Sequence, residues 1–281
     1  MAEALHVANG HCTTRLIEQA NLPGRTSIWA DALHEGPIAD VPDDDLIRMR
    51  AADIARGPGE RVADVEADLK SWRSAVDADH TYDELVLWFE HDLFDQLNLI
   101  QLLTRIGRDR PVGKPVSLVC IDGYPGHDTF KGLGELRPAD IAALFTTRRR
   151  VTAEQFALAA KAWDDFRSQR RERLEALLRE DLSALPFLAR ALRRYLDEAP
   201  AEPGGLTRSE RRLLDQLARG PVDIHTAWKA MHAGEDAFYI TDTSFWNLLK
   251  GLAARTPALI DIALSPVATR GLPQGTLSRR S

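Results

Sequence analysis

The run Glu90-His91-Asp92, followed closely by Asp95 and Gln96, is the densest polar cluster in the chain. Two carboxylates and an imidazole within three residues suit a divalent metal or acid–base work, with Glu90 and Asp92 as the candidate ligands. Asp92 also stands where a helix N-cap belongs, with Asp95 at the third helical position, so a purely structural role accounts for it equally well. Glu90 lacks that explanation, because it follows the apolar run Leu85-Val86-Leu87-Trp88-Phe89. A second cluster, Asp31, His34 and Glu35, precedes the turn Gly36-Pro37. An imidazole with an ordinary pKa of about 6.5 serves as acid or base near neutrality. Glu90, His34, Asp31 and Glu35 are the candidate catalytic residues; for the second cluster an ordinary polar surface loop is the competing reading.

Asn9-Gly10-His11 follows the apolar Leu5-His6-Val7-Ala8 and precedes a helix, where backbone N–H groups favour an anion. Asp122-Gly123 ends a further apolar run and suits a ribose hydroxyl, a metal or a simple turn. Asn9, Gly10, His91, Asp95, Gln96 and Asp122 are therefore the candidate ligand-binding residues. Gly10 is a lone glycine, so neither a dinucleotide fingerprint nor a phosphate-cradling Walker loop is present. No Gly-x-Ser-x-Gly elbow occurs, which disfavours a serine hydrolase of the α/β type. Cys12 lies at a helix start, where a thiol pKa falls, although an idle cysteine is the commoner outcome.

Four apolar segments must position these groups: Leu5–Ala8, Thr26–Ala30, Leu85–Phe89 and Val116–Ile121. In a parallel sheet all four carboxyl ends lie on one edge, where such folds place ligands. A short helix from Thr13 to Asn21 separates the first two. Between the second and third, a helix from Asp43 to about Arg56 and a stripe at Val62, Val65, Leu69, Trp72 and Val76 form a helical insertion. Residues 93–106 read as a helix apolar on most sides. The expected fold is a small α/β, Rossmann-like parallel sheet over residues 1–136, with the insertion at about 40–80.

Residues 137–200 read as helix throughout, with a capping box at Thr152 and Gln155. Arg148-Arg149-Arg150 reads either as a solvated helix edge or as a clamp on an anionic substrate. A Pro/Gly linker at 199–205 marks a domain boundary. Beyond it, Thr207 with Glu210 caps a helix to Arg219, and two more helices span Asp223–His232 and Thr241–Ala253. The extended stretch 258–264 then completes the order of a winged-helix-like domain over 205–265. The tail, 266–281, reads as disordered.

The 281 residues carry 44% hydrophobic and 28% charged side chains, ordinary for a globular protein. No apolar run approaches the ~18 residues that span a bilayer. The start Met1–His6 lacks the basic and apolar stretches of a signal peptide, and two cysteines give no disulfide framework, which together suggest the cytoplasm. A net charge of −6 argues against nucleic acid as partner of the whole chain. The third C-terminal helix offers Asp242, Thr243, Ser244, Asn247 and Lys250, a set poor in cations for groove reading.

The segments Leu5–Gly10, Trp29–Pro37 and Trp88–Leu97 resemble the bacterial domain-of-unknown-function family 1835. The resemblance extends through Val119–Asp122, Ser183–Leu188 and Gly205-Leu206-Thr207 with Glu210, nearly the whole chain. The family pattern carries Asp where this chain has His11, so the resemblance places no metal ligand there, and it implies no reaction. The resulting expectation is a hydrolase or group transferase acting on a small anionic or nucleotide-like ligand, with a divalent metal as the candidate cofactor. The competing expectation is a ligand-sensing regulator with the winged helix as effector.

Overall fold

Strand formation begins at once: β1 (Ala4–Ala8) is buried at all five positions. Helix α1 (His11–Gln19) returns the chain to β2 (Gly24–Ile28), which pairs parallel to β1. The computed structural model describes residues 3–56, 60–109, 114–128, 130–200, 204–235, 237, 240–265 and 272–280. Helices α2 (Asp43–Ile54) and α3 (Val62–Asp77) pair around Ile47, Ala51, Val65 and Leu69. The stripe read from spacings of three and four is therefore a packing face from Val65 to Val76, while Val62 at its start is exposed at the first turn of α3.

Strand β3 (Glu84–Glu90) lies between β1 and β4 (Val116–Ile121), parallel to both. It is buried from Leu85 through Glu90, as its unbroken apolar run requires. Helix α4 (Leu93–Asp109) connects the two strands. After α5 (Pro138–Phe145), Arg149–Arg150 form a two-residue strand, β5, antiparallel to β4. The continuous helix expected from 138 is thus interrupted. Arg149 and Arg150 lie exposed on this strand rather than on a helix edge, while Arg148 turns inward to Glu84 and stacks on Phe145. The short strand escaped a helical reading because two residues carry no periodicity.

The sheet order is β2-β1-β3-β4-β5. The order reverses between β1 and β3, so the carboxyl ends of these two strands flank the topological switch point. One face carries Ala4, Ala8, Val86, Trp88 and Val119 against α1 and α5 residues such as Ile17, Ile141 and Leu144. Leu5, Val7, Leu85, Leu87 and Phe89 alternate with them onto the other face and are buried as well. His6 sits inside the first face. Trp88 Nε1 donates to its Nδ1 at 3.1 Å, and its Nε2 meets the Pro23 carbonyl at 3.2 Å, so the neutral ring fits and burial lowers its pKa. Helices α6 (Ala153–Arg167), α7 (Arg171–Leu177) and α8 (Leu188–Glu198) follow, α6 packing on α4. The expected capping box at α6 is formed in both directions, at 2.9 and 3.2 Å.

The chain divides into two compact units, residues 1–192 and 193–281, with the division inside α8. The second unit contains α9 (Arg208–Leu217), β6 (Val222–Asp223), α10 (Ile224–Met231), α11 (Asp242–Ala254), β7 (Ile260–Leu264) and β8 (Gly275–Arg279). Leu213, Leu217, Ile224, Phe245, Leu249, Leu252, Ile260 and Leu277 make its core. Thr207 and Glu210 close the expected capping box, and Asp223 and Thr241 cap α10 and α11. The sheet is antiparallel, in the order β6-β8-β7. Residues 275–279 of the expected disordered tail are therefore its middle strand, held by pairing on both edges and by buried Leu277; residues 266–271 lie outside the described residues. The polar surroundings of Leu277 hid the strand. Across both units, the described residues form eleven α-helices, none long and apolar enough to cross a membrane.

Candidate functional site

Three carboxylates meet at the switch point. Glu90 ends β3 on the face shared with Trp88, Asp92 precedes α4, and Asp95 lies in the first turn of α4. One ligand oxygen from each lies within 4.8 Å of the other two. All three are buried, Glu90 at 4%, Asp92 at 9% and Asp95 at 0% exposure. Local chemistry builds the arrangement. The backbone N–H of Asp95 donates to Asp92 Oδ1 at 2.8 Å, the N-cap geometry expected of Asp92. Asp95 in turn accepts the Glu90 N–H at 2.5 Å and Asn9 Nδ2 at 2.7 Å, tying β1 to α4 across the crevice. Thr13 fixes the same Asn9 by donating to its Oδ1 at 3.2 Å.

Glu90 is covered from the opposite side. The 3-10 turn Leu133–Glu135 follows Gly132, and the Leu133 N–H donates to Glu90 Oε1 at 2.5 Å. A Cβ on residue 132 would stand 2.8 Å from Glu90 Cδ, so glycine alone permits this approach. Nothing in the sequence around Gly132 and Gly134 indicates which carboxylate this turn would enclose.

The amides of Asn9, Glu90, Phe94, Asp95 and Leu133, all neutral, donate to the three carboxylates. Burial therefore dominates their titration. It pushes Glu90 up to about 8, with the Asp92 charge adding and the Leu133 and Asn9 donors opposing. Burial pushes Asp92 up to about 7. Asp95 is raised well above the carboxylate range by burial and then by its two acidic neighbours. Such a cluster either holds protons near neutrality or exchanges them for a cation, since buried charge requires a partner.

The remaining candidates separate from this centre. Asp31 is occupied: Arg50 donates to it from Nε at 3.0 Å and from Nη2 at 2.7 Å, with both side chains almost fully buried. It anchors α2 rather than adding a carboxylate to the cluster, a pairing that the 19-residue separation concealed. Asn98 of α4 holds the Asp31 backbone through its N–H and C=O, at 2.9 and 2.8 Å. His34 lies 3.4 Å from Glu35 and packs edge-on to Phe94 at 6.2 Å. Gln96 donates to the Glu90 carbonyl at 2.6 Å, a role internal to the fold. Cys120 lies beside it, its thiol pushed up by burial.

Gly10 is the N-cap of α1, its backbone extended and with open space where a Cβ would stand, while His11 and Cys12 are exposed. Asp122 is also exposed, 3.8 Å from Arg190 and apart from the buried carboxylates. His91 is buried between Phe130 and Phe187, with ring centroids 6.4 Å away in each case. Residues without a sequence signal, Arg50, Asn98, Leu133 and Arg190, thus position the edge through contacts distant in the chain.

No known family model matches this chain, and no curated protein matches it.

Proposed function

We propose that the first unit is a divalent-cation-assisted enzyme, a hydrolase or group transferase acting on a small anionic or nucleotide-like ligand. The observation that carries this reading is the convergence of Glu90, Asp92 and Asp95 within 4.8 Å, buried and compensated by neutral amides, at the sheet's switch point. Hard carboxylate oxygens suit Mg²⁺ or Mn²⁺, which retain coordination positions for water and for substrate oxygens. The cation would polarise the ligand and lower the pKa of a bound water. Asn9 orients Asp95, and Leu133 orients Glu90. His34, with Glu35 beside it and Asp31 holding its loop to α4, is set apart from the three carboxylates and is assigned no proton transfer at the cation.

Titrating chelator-treated full-length protein with Mn²⁺, followed by electron paramagnetic resonance, tests the cation. The expected result is one bound Mn²⁺ per chain, lost in Asp92→Asn. A wild-type chain that leaves the Mn²⁺ signal at its free-ion intensity refutes the reading.

The order of three helices and a β-hairpin supports a winged-helix-like reading of the second unit. The exposed polar side chains of α11 include Asp242, Thr243 and Asn247, with Lys250 as the cation, which favours a protein-contact role over reading DNA. The two free cysteines fit a reducing cytoplasm.

A further inference from the structure

The segment Ser183–Leu188 and the residues just beyond it are not used by the carboxylate centre, yet they reach the same sheet edge. Phe187 meets the ring of His91, the residue between Glu90 and Asp92, edge-on at 6.4 Å. The guanidinium of Arg190 lies over Phe187, 5.9 Å from the ring centroid. Its Nη2 is shielded from solvent and has no hydrogen-bond partner among the described residues. Its ionic neighbour is Asp122 Oδ2 at 3.8 Å, beyond hydrogen-bond reach, at the end of the strand next to Glu90. Arg50 shows the contrast within the same unit, because it donates three times to Asp31 between 2.7 and 3.2 Å.

The position within the helix adds a second argument. Arg190 lies in the first turn of α8, where the helix dipole favours negative charge, and that turn contains no acidic residue. A cation here opposes the dipole, and an oxyanion would satisfy both. The Arg190 side chain as a whole is 38% exposed, so its planar guanidinium can turn the unpaired Nη2 outward to two oxygens of a phosphoryl group, and hard divalent cations also bind phosphoryl oxygens.

We propose that Arg190, braced by Phe187, is the phosphoryl-binding residue of this edge, and that the ligand is a phosphate ester or diphosphate. Asp122 holds Arg190 loosely until the oxyanion replaces it. The assignment rests on the cation reading only for the ligand's second anchor.

The test is calorimetric titration of the full chain with inorganic pyrophosphate, with and without Mn²⁺. Removing the charged fork in Arg190→Gln should weaken pyrophosphate about tenfold or more, while Mn²⁺ affinity stays at the wild-type value. Arg190→Lys keeps the charge and loses the fork, so it should bind between the two; it also carries the test if the glutamine variant does not fold. Asp122→Asn removes the competing carboxylate and should tighten binding.

Wild-type protein that ignores millimolar pyrophosphate, or an Arg190→Gln chain within twofold of wild type, overturns the assignment. Pyrophosphate binding that depends on Arg190 in a chain that takes up no Mn²⁺ upholds it and removes the cation reading instead.

Discussion

Replacing Glu90 by Gln isolates the electrostatic cost of the buried cluster. Glutamine keeps the shape and the carbonyl oxygen that accepts the Leu133 N–H, and removes only the ionisable group. In the metal-free folded chain Glu90 titrates at about 8, against 4.5 in its ordinary setting. Folding therefore takes up a proton at pH values between these two. The sign follows from the raised pKa: the contribution is complete below pH 4.5 and is lost as pH rises through about 8. Each pH unit in that window costs about 1.4 kcal/mol. The loss at pH 7 is then about 3 kcal/mol, approaching about 5 kcal/mol above pH 8. Glu90→Gln should recover these amounts, becoming more stable than wild type with a gap that widens toward alkaline pH. Urea unfolding of chelator-treated proteins at several pH values between 4 and 9 measures it. Stability curves that run parallel across the window would refute the argument, because no proton would then be taken up at Glu90.

Two other perturbations address how the edge is held. Gly132→Ala places a methyl group against the Glu90 carboxylate and should cost about 1–3 kcal/mol. The loss should shrink in a Glu90→Ala background, which a double-mutant cycle by urea unfolding reads directly. Arg50→Met leaves Asp31 charged and buried, a loss of about 3–5 kcal/mol. Pairing it with Asp31→Leu should restore most of that stability in thermal melts, and an additive double mutant would show that the two residues do not interact.

Features encoded by neighbours in the chain were the legible ones. The capping boxes at Thr152 and Thr207, the stripe from Val65 to Val76 and the apolar run of β3 each carry their signal within a few residues, and each is seen in the structure. Glu90, Asp92 and Asp95 were also legible as a group, because a strand end and a helix start put them five positions apart at most. Their chemical environment was not. The Asn9–Asp95 bond spans 86 positions and the Leu133–Glu90 bond 43, and both depend on the sheet being assembled. The same limit applies to Asp31, a plausible acid until Arg50 is seen to occupy it. Strand β8 escaped notice because its one buried side chain, Leu277, sits among polar residues, and its partner β6 lies far upstream.

The central place of β8 governs the order in which the second unit is made. Strands β6 and β7 have no bond to each other; each is joined only to β8, so Val222 waits for Leu277 across more than fifty intervening residues. During synthesis, α9 to α11 emerge with their apolar faces formed while the sheet beneath them still lacks its middle. Chains stalled or trimmed before residue 275 would present two unpaired strand edges at once, the state most open to mispairing with other chains. Proteolytic trimming at this end should thus register as aggregation well before it registers as loss of the first unit's fold.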